Sequence, residues 1–326
     1  MTDAIASQNS PTRWCGWIGT VLIGLSLVSC TPSPPETGNE KPRVVSTSTA
    51  IADWTEIVGG DEIDHTGILE PGADPHIYEP VPQDSIAFEE ADLILYNGYN
   101  LEPGLIKLMN AAGVKARKLA VGEVIEPLDM DYDGQQVPDP HVWGNVSNAI
   151  VMVEAIRDVL IELSPEDEAL FRENTAAFVG TLAELHGWIE AQIATIPPEN
   201  RRLVTTHDAF QYFTRAYGLQ VTGTLIGMST EEQPSAQTVT QLVEQIKAAK
   251  VPAIFAETTI NPKLIQTVAE EAGVQLSPRE LYSDSLGAPG SEGDSYVKMM
   301  VSNTRAIVEA LGGEYTPFPM ETGDRP

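Results

Sequence analysis

Apolar runs and amphipathic stretches take turns along this chain, beginning at Arg43. "RVVSTST" is a short continuous apolar run of the kind that forms a buried strand, and "AIADWTEIVGG" after it has helical spacing. "ADLILYNGYN" predicts a second strand ending in a polar turn, and "GLIKLMNAAG" a short helix closed by glycine. "NVSNAIVMVEAIRDVLIEL" reads as an amphipathic helix with Asn145 or Ser147 at its cap. After Pro197 the alternation resumes. Strands are expected in "RRLVTTH", "LQVTGTLI", "PAIFAET" and "RELYSDS", and helices in "DAFQYFTRAYG", "SAQTVTQLVEQIKAAK", "PKLIQTVAEEAG" and "SYVKMMVSNTRAIVEALGG". Strand and helix in turn predict an α/β fold with parallel sheets flanked by helices.

One segment breaks the rhythm. After Ser164-Pro165-Glu166-Asp167, a strong helix start, about thirty residues run without proline, a helix of roughly 45 Å. Its Phe171, Phe178, Leu182, Leu185 and Ile189 share one face. A helix this long between two α/β halves reads as a rigid connector. The expected layout is an N-terminal lobe over 43–164, a connecting helix over 165–197 and a C-terminal lobe over 198–326.

The N-terminus changes the picture. "WCGWIGTVLIGLSLVSC" is apolar but short for a membrane span. It ends in Leu27-Val28-Ser29-Cys30, which resembles a bacterial lipobox, where cleavage precedes the cysteine and a lipid is attached to its sulfur. The alternative is an ordinary signal peptide or signal anchor that contains a cysteine. On the lipobox reading, residues 1–29 are the signal peptide and 30–42, rich in proline and polar residues, a flexible tether on the membrane surface. Cys15 and Cys30 are the only cysteines, so the mature chain has no disulfide, and any metal site is built from His, Asp and Glu.

Net charge is −28, which repels nucleic acid and anionic lipid and suits solubility in an external fluid. No H-E-x-x-H, G-x-S-x-G or P-loop appears, and the chain is read as a binding protein, not an enzyme. The acidic "LDMDYDG" lacks the spacing and distal glutamate of a calcium loop and is read as a solvated turn.

Ligands of open parallel sheets sit beyond the carboxyl ends of strands. His76, His141, His207 and Asp284 all fall at such ends, three imidazoles and one carboxylate, a donor set suited to a divalent cation. Taken singly, each histidine is better read as a loop or core histidine satisfied by a backbone carbonyl. His65 and His186 are read as structural or solvated.

"DPHIYEP" around His76, "DPHVW" around His141, "HDAFQYF" from His207 and "YSDSLG" around Asp284 resemble, in order, the liganding motifs of the manganese-, zinc- and iron-binding lipoproteins of bacterial ABC importers, the cluster A-I solute-binding proteins. The likeness includes the long helix and covers nearly the whole chain after the tether. It implies two α/β lobes joined by that helix, one metal ion in the cleft, and His76, His141, His207 and Asp284 as its ligands. Asp74, Glu79 and Glu257 are candidates to orient the imidazoles. Where the family commonly has Leu-Asp-Pro after "DPHVW", this chain has Gly144-Asn145-Val146, so the next helix loses its proline start, though Asn145 can cap it.

The resemblance implies a cargo of Mn2+, Zn2+ or Fe2+. Manganese is favoured, because zinc members often carry a histidine-rich loop between the first two ligands and residues 77–140 contain no histidine. Zinc transport by the same route is the alternative, and a metal-binding adhesin is another. The implied partners are an ABC permease and its ATPase subunit. The chain is expected to be a monomer, lipid-anchored outside the cytoplasmic membrane, on the periplasmic side if the host has an outer membrane. Affinity is expected to fall as pH drops through the imidazole range near ~6.5.

Overall fold

A computed structural model describes residues 41–132 and 134–319. Cys30, the signal segment and most of the tether lie outside the described residues. In the first half, strands β1 (Arg43–Ser46), β2 (Asp64–Gly67), β3 (Leu93–Tyr96) and β4 (Arg117–Ala120) form a parallel sheet in the order β2-β1-β3-β4. Helices α1 (Thr49–Gly59), α2 (Pro82–Glu90) and α3 (Pro103–Ala112) join these strands. Val44, Leu93 and Leu95 are wholly buried, as expected of strands covered on both faces.

The second half has strands β7 (Arg202–Thr205) and β8 (Gln220–Thr224) as one parallel pair, and β9 (Ala253–Ile254) and β10 (Gln275–Leu276) as another. The Phe255 N–H donates to the Val204 carbonyl and stitches the pairs together. Helices α6 (Gln211–Tyr217), α7 (Ala236–Ala249), α8 (Lys263–Ala272) and α9 (Tyr296–Ala310) pack around them. "RELYSDS", read as a strand, pairs only through a bridge between Glu257 and Leu281. Beyond Leu281 the backbone leaves the sheet, because its next partners are side chains: Asn303 accepts from the Tyr282 N–H and donates to the Tyr282 carbonyl.

Helix α4 (Val146–Leu163) starts with Asn145 accepting from the Ser147 N–H at 3.0 Å, so a capping side chain replaces the missing proline. The connecting helix α5 (Glu168–Ala194) is 27 residues long and follows a tight turn at Pro165–Asp167. All five apolar residues assigned to its inner face are buried. They join one continuous core with α1, α4, α6 and α9, so α5 is cemented to both halves.

The acidic "LDMDYDG" is not a solvated turn. It forms strand β5 (Asp129–Tyr132), paired antiparallel with β6 (Gln135–Pro138). In sequence, Asp-Gly favours a hairpin turn, and Gly134, just before β6, has φ +77°, a left-handed conformation that suits glycine. Met130, opposite Val137, is buried. The hairpin delivers the chain into Asp139-Pro140-His141.

Candidate metal centre

Two of the candidate ligands are set by the same short motif. In Asp74-Pro75-His76 the aspartate accepts from the histidine N–H two residues on, at 2.9 Å. In Asp139-Pro140-His141 the same bond is 3.0 Å. Such Asx turns, with proline fixing φ between the partners, make both loops locally rigid. Asp139 goes further, because its Oδ1 also lies 2.8 Å from His141 Nδ1. An Nδ1–H donated to that carboxylate leaves the Nε2 lone pair free to face the site. Tyr212 donates to the Asp139 carbonyl at 2.9 Å, and Asn97 Nδ2 to the Pro140 carbonyl at 2.9 Å, so the loop is held from both sides.

His207 follows β7 and is fixed differently. Its N–H donates to Glu257 Oε1 at 2.8 Å and its Nδ1 lies 2.5 Å from Glu257 Oε2. Glu257 lies three residues beyond β9, at the bridge to Leu281, and both Glu257 and His207 are completely buried. Asp284 lies beyond the Glu257–Leu281 bridge and caps no helix.

The structure brings His76, His141, His207 and Asp284 together. One donor atom from each lies within 4.8 Å of all the others, and all four are buried. His76 Nε2 is 3.3 Å from His141 Nε2. Asp284 Oδ1 is 3.5 Å from His141 Nε2, and Oδ2 is 3.2 Å from His207 Nε2 and 3.8 Å from His76 Nε2. His207 Nε2 and both Asp284 oxygens are buried without an aligned hydrogen bond. Unsatisfied buried polar atoms are costly, and converging on one point they suit a cation. With both oxygens turned inward, Asp284 could supply two donors beside three imidazole nitrogens.

The electrostatics separate the histidines. Burial pushes His76 down to about 3, against the pull of Asp284, so it is neutral at any physiological pH. Burial also opposes charge on His207, but the Glu257 and Asp284 carboxylates outweigh it and hold this imidazole well above its ordinary value. Asp284 is held well below the carboxylate range: burial works against its charge, and the three imidazoles, His207 foremost, overcome that. The pH expectation therefore needs correcting. His207 competes for a proton above ~6.5, and His76 only far below it.

Of the residues read as orienting groups, Glu257 holds a ring and Asp74 holds a backbone. Glu79 is exposed, and among the described residues no hydrogen bond joins it to a site histidine. Asp139 was missed, although the repeated Asp-Pro-His was its signal. His65 binds Ser46 Oγ at 3.0 Å and His186 binds the Tyr217 hydroxyl at 3.0 Å, so both serve the fold.

Two parallel-sheet halves, a long helix between them and a buried group of three histidines and an aspartate that could hold a metal ion define the two-lobed metal-binding class of solute-binding proteins. The chain belongs to the family described as zinc-uptake complex component A, periplasmic, which matches residues 44–310. It is 34% identical over 297 residues to the metal ABC transporter substrate-binding lipoprotein ScbA of Streptococcus cristatus, covering 89% of this chain and 95% of that one. Identity to the manganese ABC transporter substrate-binding lipoprotein PsaA of Streptococcus pneumoniae is 32% over 306 residues, covering 90% and 98%. Among solved structures, the periplasmic zinc-binding protein TroA of Treponema pallidum superposes with a TM-score of 0.79 at 34% identity, covering 83% of this chain and 99% of that one. Fe(III)-bound YtgA of Chlamydia trachomatis gives 0.76 at 28% identity, covering 84% and 99%.

Proposed function

We propose that this chain captures a divalent transition-metal ion with His76, His141, His207 and Asp284 and delivers it to an ABC permease driven by a separate ATPase subunit. The observation that carries the reading is the convergence of four buried donor groups within 4.8 Å, in which His207 Nε2 and both Asp284 oxygens have no aligned hydrogen bond among the described residues. Manganese is the favoured cargo. The two inward oxygens of Asp284 suit a metal that takes more than four donors, and the PsaA relative is a manganese protein by name. Zinc is the competing cargo, since it outbinds manganese at almost any such site. The protein works as a monomer, tethered by a lipid on Cys30 outside the cytoplasmic membrane, with residues 43–164, 165–197 and 198–326 as lobe, connector and lobe.

The test is the metal content of protein recovered from its own cells without chelators, beside a His207→Ala variant. Manganese in the native chain and little in the variant is the expected result. Zinc lost in the same way keeps the site and changes the cargo. Equal metal in both removes His207 from the ligand set.

A further inference from the structure

Asp284 belongs by sequence to the second half, yet the bonds around it run to the first. Immediately before it, the Ser283 carbonyl accepts from Trp143 Nε1 at 3.0 Å, two residues beyond His141. Immediately after it, Ser285 Oγ accepts from the Gly72 N–H at 2.8 Å, and that same N–H lies 3.0 Å from the Leu286 carbonyl. Gly72 begins the loop that carries His76, with φ +85°. Thr49, in the first turn of α1, accepts from the Leu286 N–H at 2.9 Å, and its Oγ1 lies 3.4 Å from Ser285 Oγ. Thr49 and Ser285 are both buried. Tyr282, one residue earlier than Ser283, is still bonded to Asn303 of α9. From Ser283 to Leu286 the segment is bonded directly to residues of the first half. His207, by contrast, is held by Glu257 within the second half.

We propose that Thr49 and Ser285 are positioning residues that fasten Asp284 to the half carrying His76 and His141, so that the ion is held by three groups of one side and released by parting from His207. This rests on the metal-site reading above. Among the described residues neither hydroxyl hydrogen-bonds a ligand atom of the cluster. They act by fixing the backbone on which Asp284 sits, as partners behind a metal ligand do, where their loss typically lowers affinity about 10–100-fold. The ion's own coupling to the second half is then left to one imidazole, beside the direct bonds between the halves such as that from Tyr212 to the Asp139 carbonyl.

Cobalt(II) serves as the probe, because its visible absorption reports ligand number and geometry. Full-length native chain, Thr49→Val, Ser285→Ala, the double variant and Thr49→Ser are titrated, and release into excess chelator is timed by stopped flow. The double variant is expected to release cobalt at least about tenfold faster, with an altered spectrum, while Thr49→Ser stays within about twofold of native. The metal-free melting temperature separates this from general destabilisation, which would leave the spectrum of the bound form intact. Should Ser285→Ala not fold, Trp143→Phe loosens the other flank of Asp284 and is expected to give the same faster release. In the same titration, His207→Ala is expected to keep a weak complex at least about tenfold tighter than that of His141→Ala. Native release and spectrum in the variants, or the reverse order of the two histidine variants, overturns the proposal. No cobalt spectrum from the native chain would instead sink the metal site itself.

Discussion

The site holds its imidazoles by two different devices. His141 is oriented from within its own loop, by an aspartate two residues earlier that grips both the backbone N–H and Nδ1. His207 is gripped at the same two atoms by Glu257, fifty residues later in the chain. The bonding pattern is alike, and the construction is not. The first lies within three consecutive residues, and its backbone bond, though not its ring bond, recurs in Asp74-Pro75-His76. The second exists only once β7 and β9 lie side by side. Both carboxylates are completely buried against their histidines, and at His207 burial itself opposes the charge; Glu257 and Asp284 together outweigh it and hold this imidazole well above its ordinary pKa.

Neutralising each carboxylate in turn shows whether the two devices differ in strength. Glu257→Gln is expected to weaken metal binding up to about 100-fold by calorimetry, since it removes a buried charge that raises the basicity of His207. Asp139→Asn is expected to lose nearer ~10-fold, because the amide oxygen still accepts from the same two groups. Equal losses would mean that the two devices are interchangeable.

Proton release separates the histidines further. Before an ion binds, the Glu257 and Asp284 carboxylates favour the protonated form of His207, whereas burial disfavours that of His76. Binding near pH 7 should therefore expel about one proton, read from calorimetry in buffers of different ionisation enthalpy. Since protons compete with the metal below the raised His207 pKa, affinity should climb with pH through that range. In Glu257→Gln one of the two raising charges is gone and only Asp284 remains, so fewer protons should be released and the climb should shift to lower pH. An unchanged proton count in that variant would remove Glu257 as the cause.

The smallest effect tests the approach to the first-half site. Asn145 caps the helix that follows His141, so Asn145→Ala should cost about 1 kcal/mol of stability in urea unfolding. Metal affinity should change little, because His141 is fixed by Asp139 and not by the cap. A large loss of affinity would show that the local device depends on α4.

Much was legible because its causes are local. Strand and helix alternation, the cap at Asn145, the proline-led start of the connecting helix and its buried stripe from Phe171 to Ile189 all rest on neighbours within a turn or two. The hairpin at β5 and β6 was locally signalled as well, by Asp133-Gly134, but the acidic residues around it disguised the apolar pair Met130 and Val137. Glu79 shows the converse: proximity in sequence to His76 placed it near the site, and the turn after the histidine carries it to solvent.

By itself the sequence determined the rigid Asp-Pro-His loops, the helices and the residue types that a cation would take, since hydrogen bonds between residues i and i+2 need no other part of the chain. Only the tertiary structure decided that Glu257 stands behind His207 and that Asp284 is fastened by Thr49, Gly72 and Trp143. Those contacts span from fifty to more than two hundred residues. They depend on which strands adjoin and where the backbone leaves the sheet, and no local pattern encodes either.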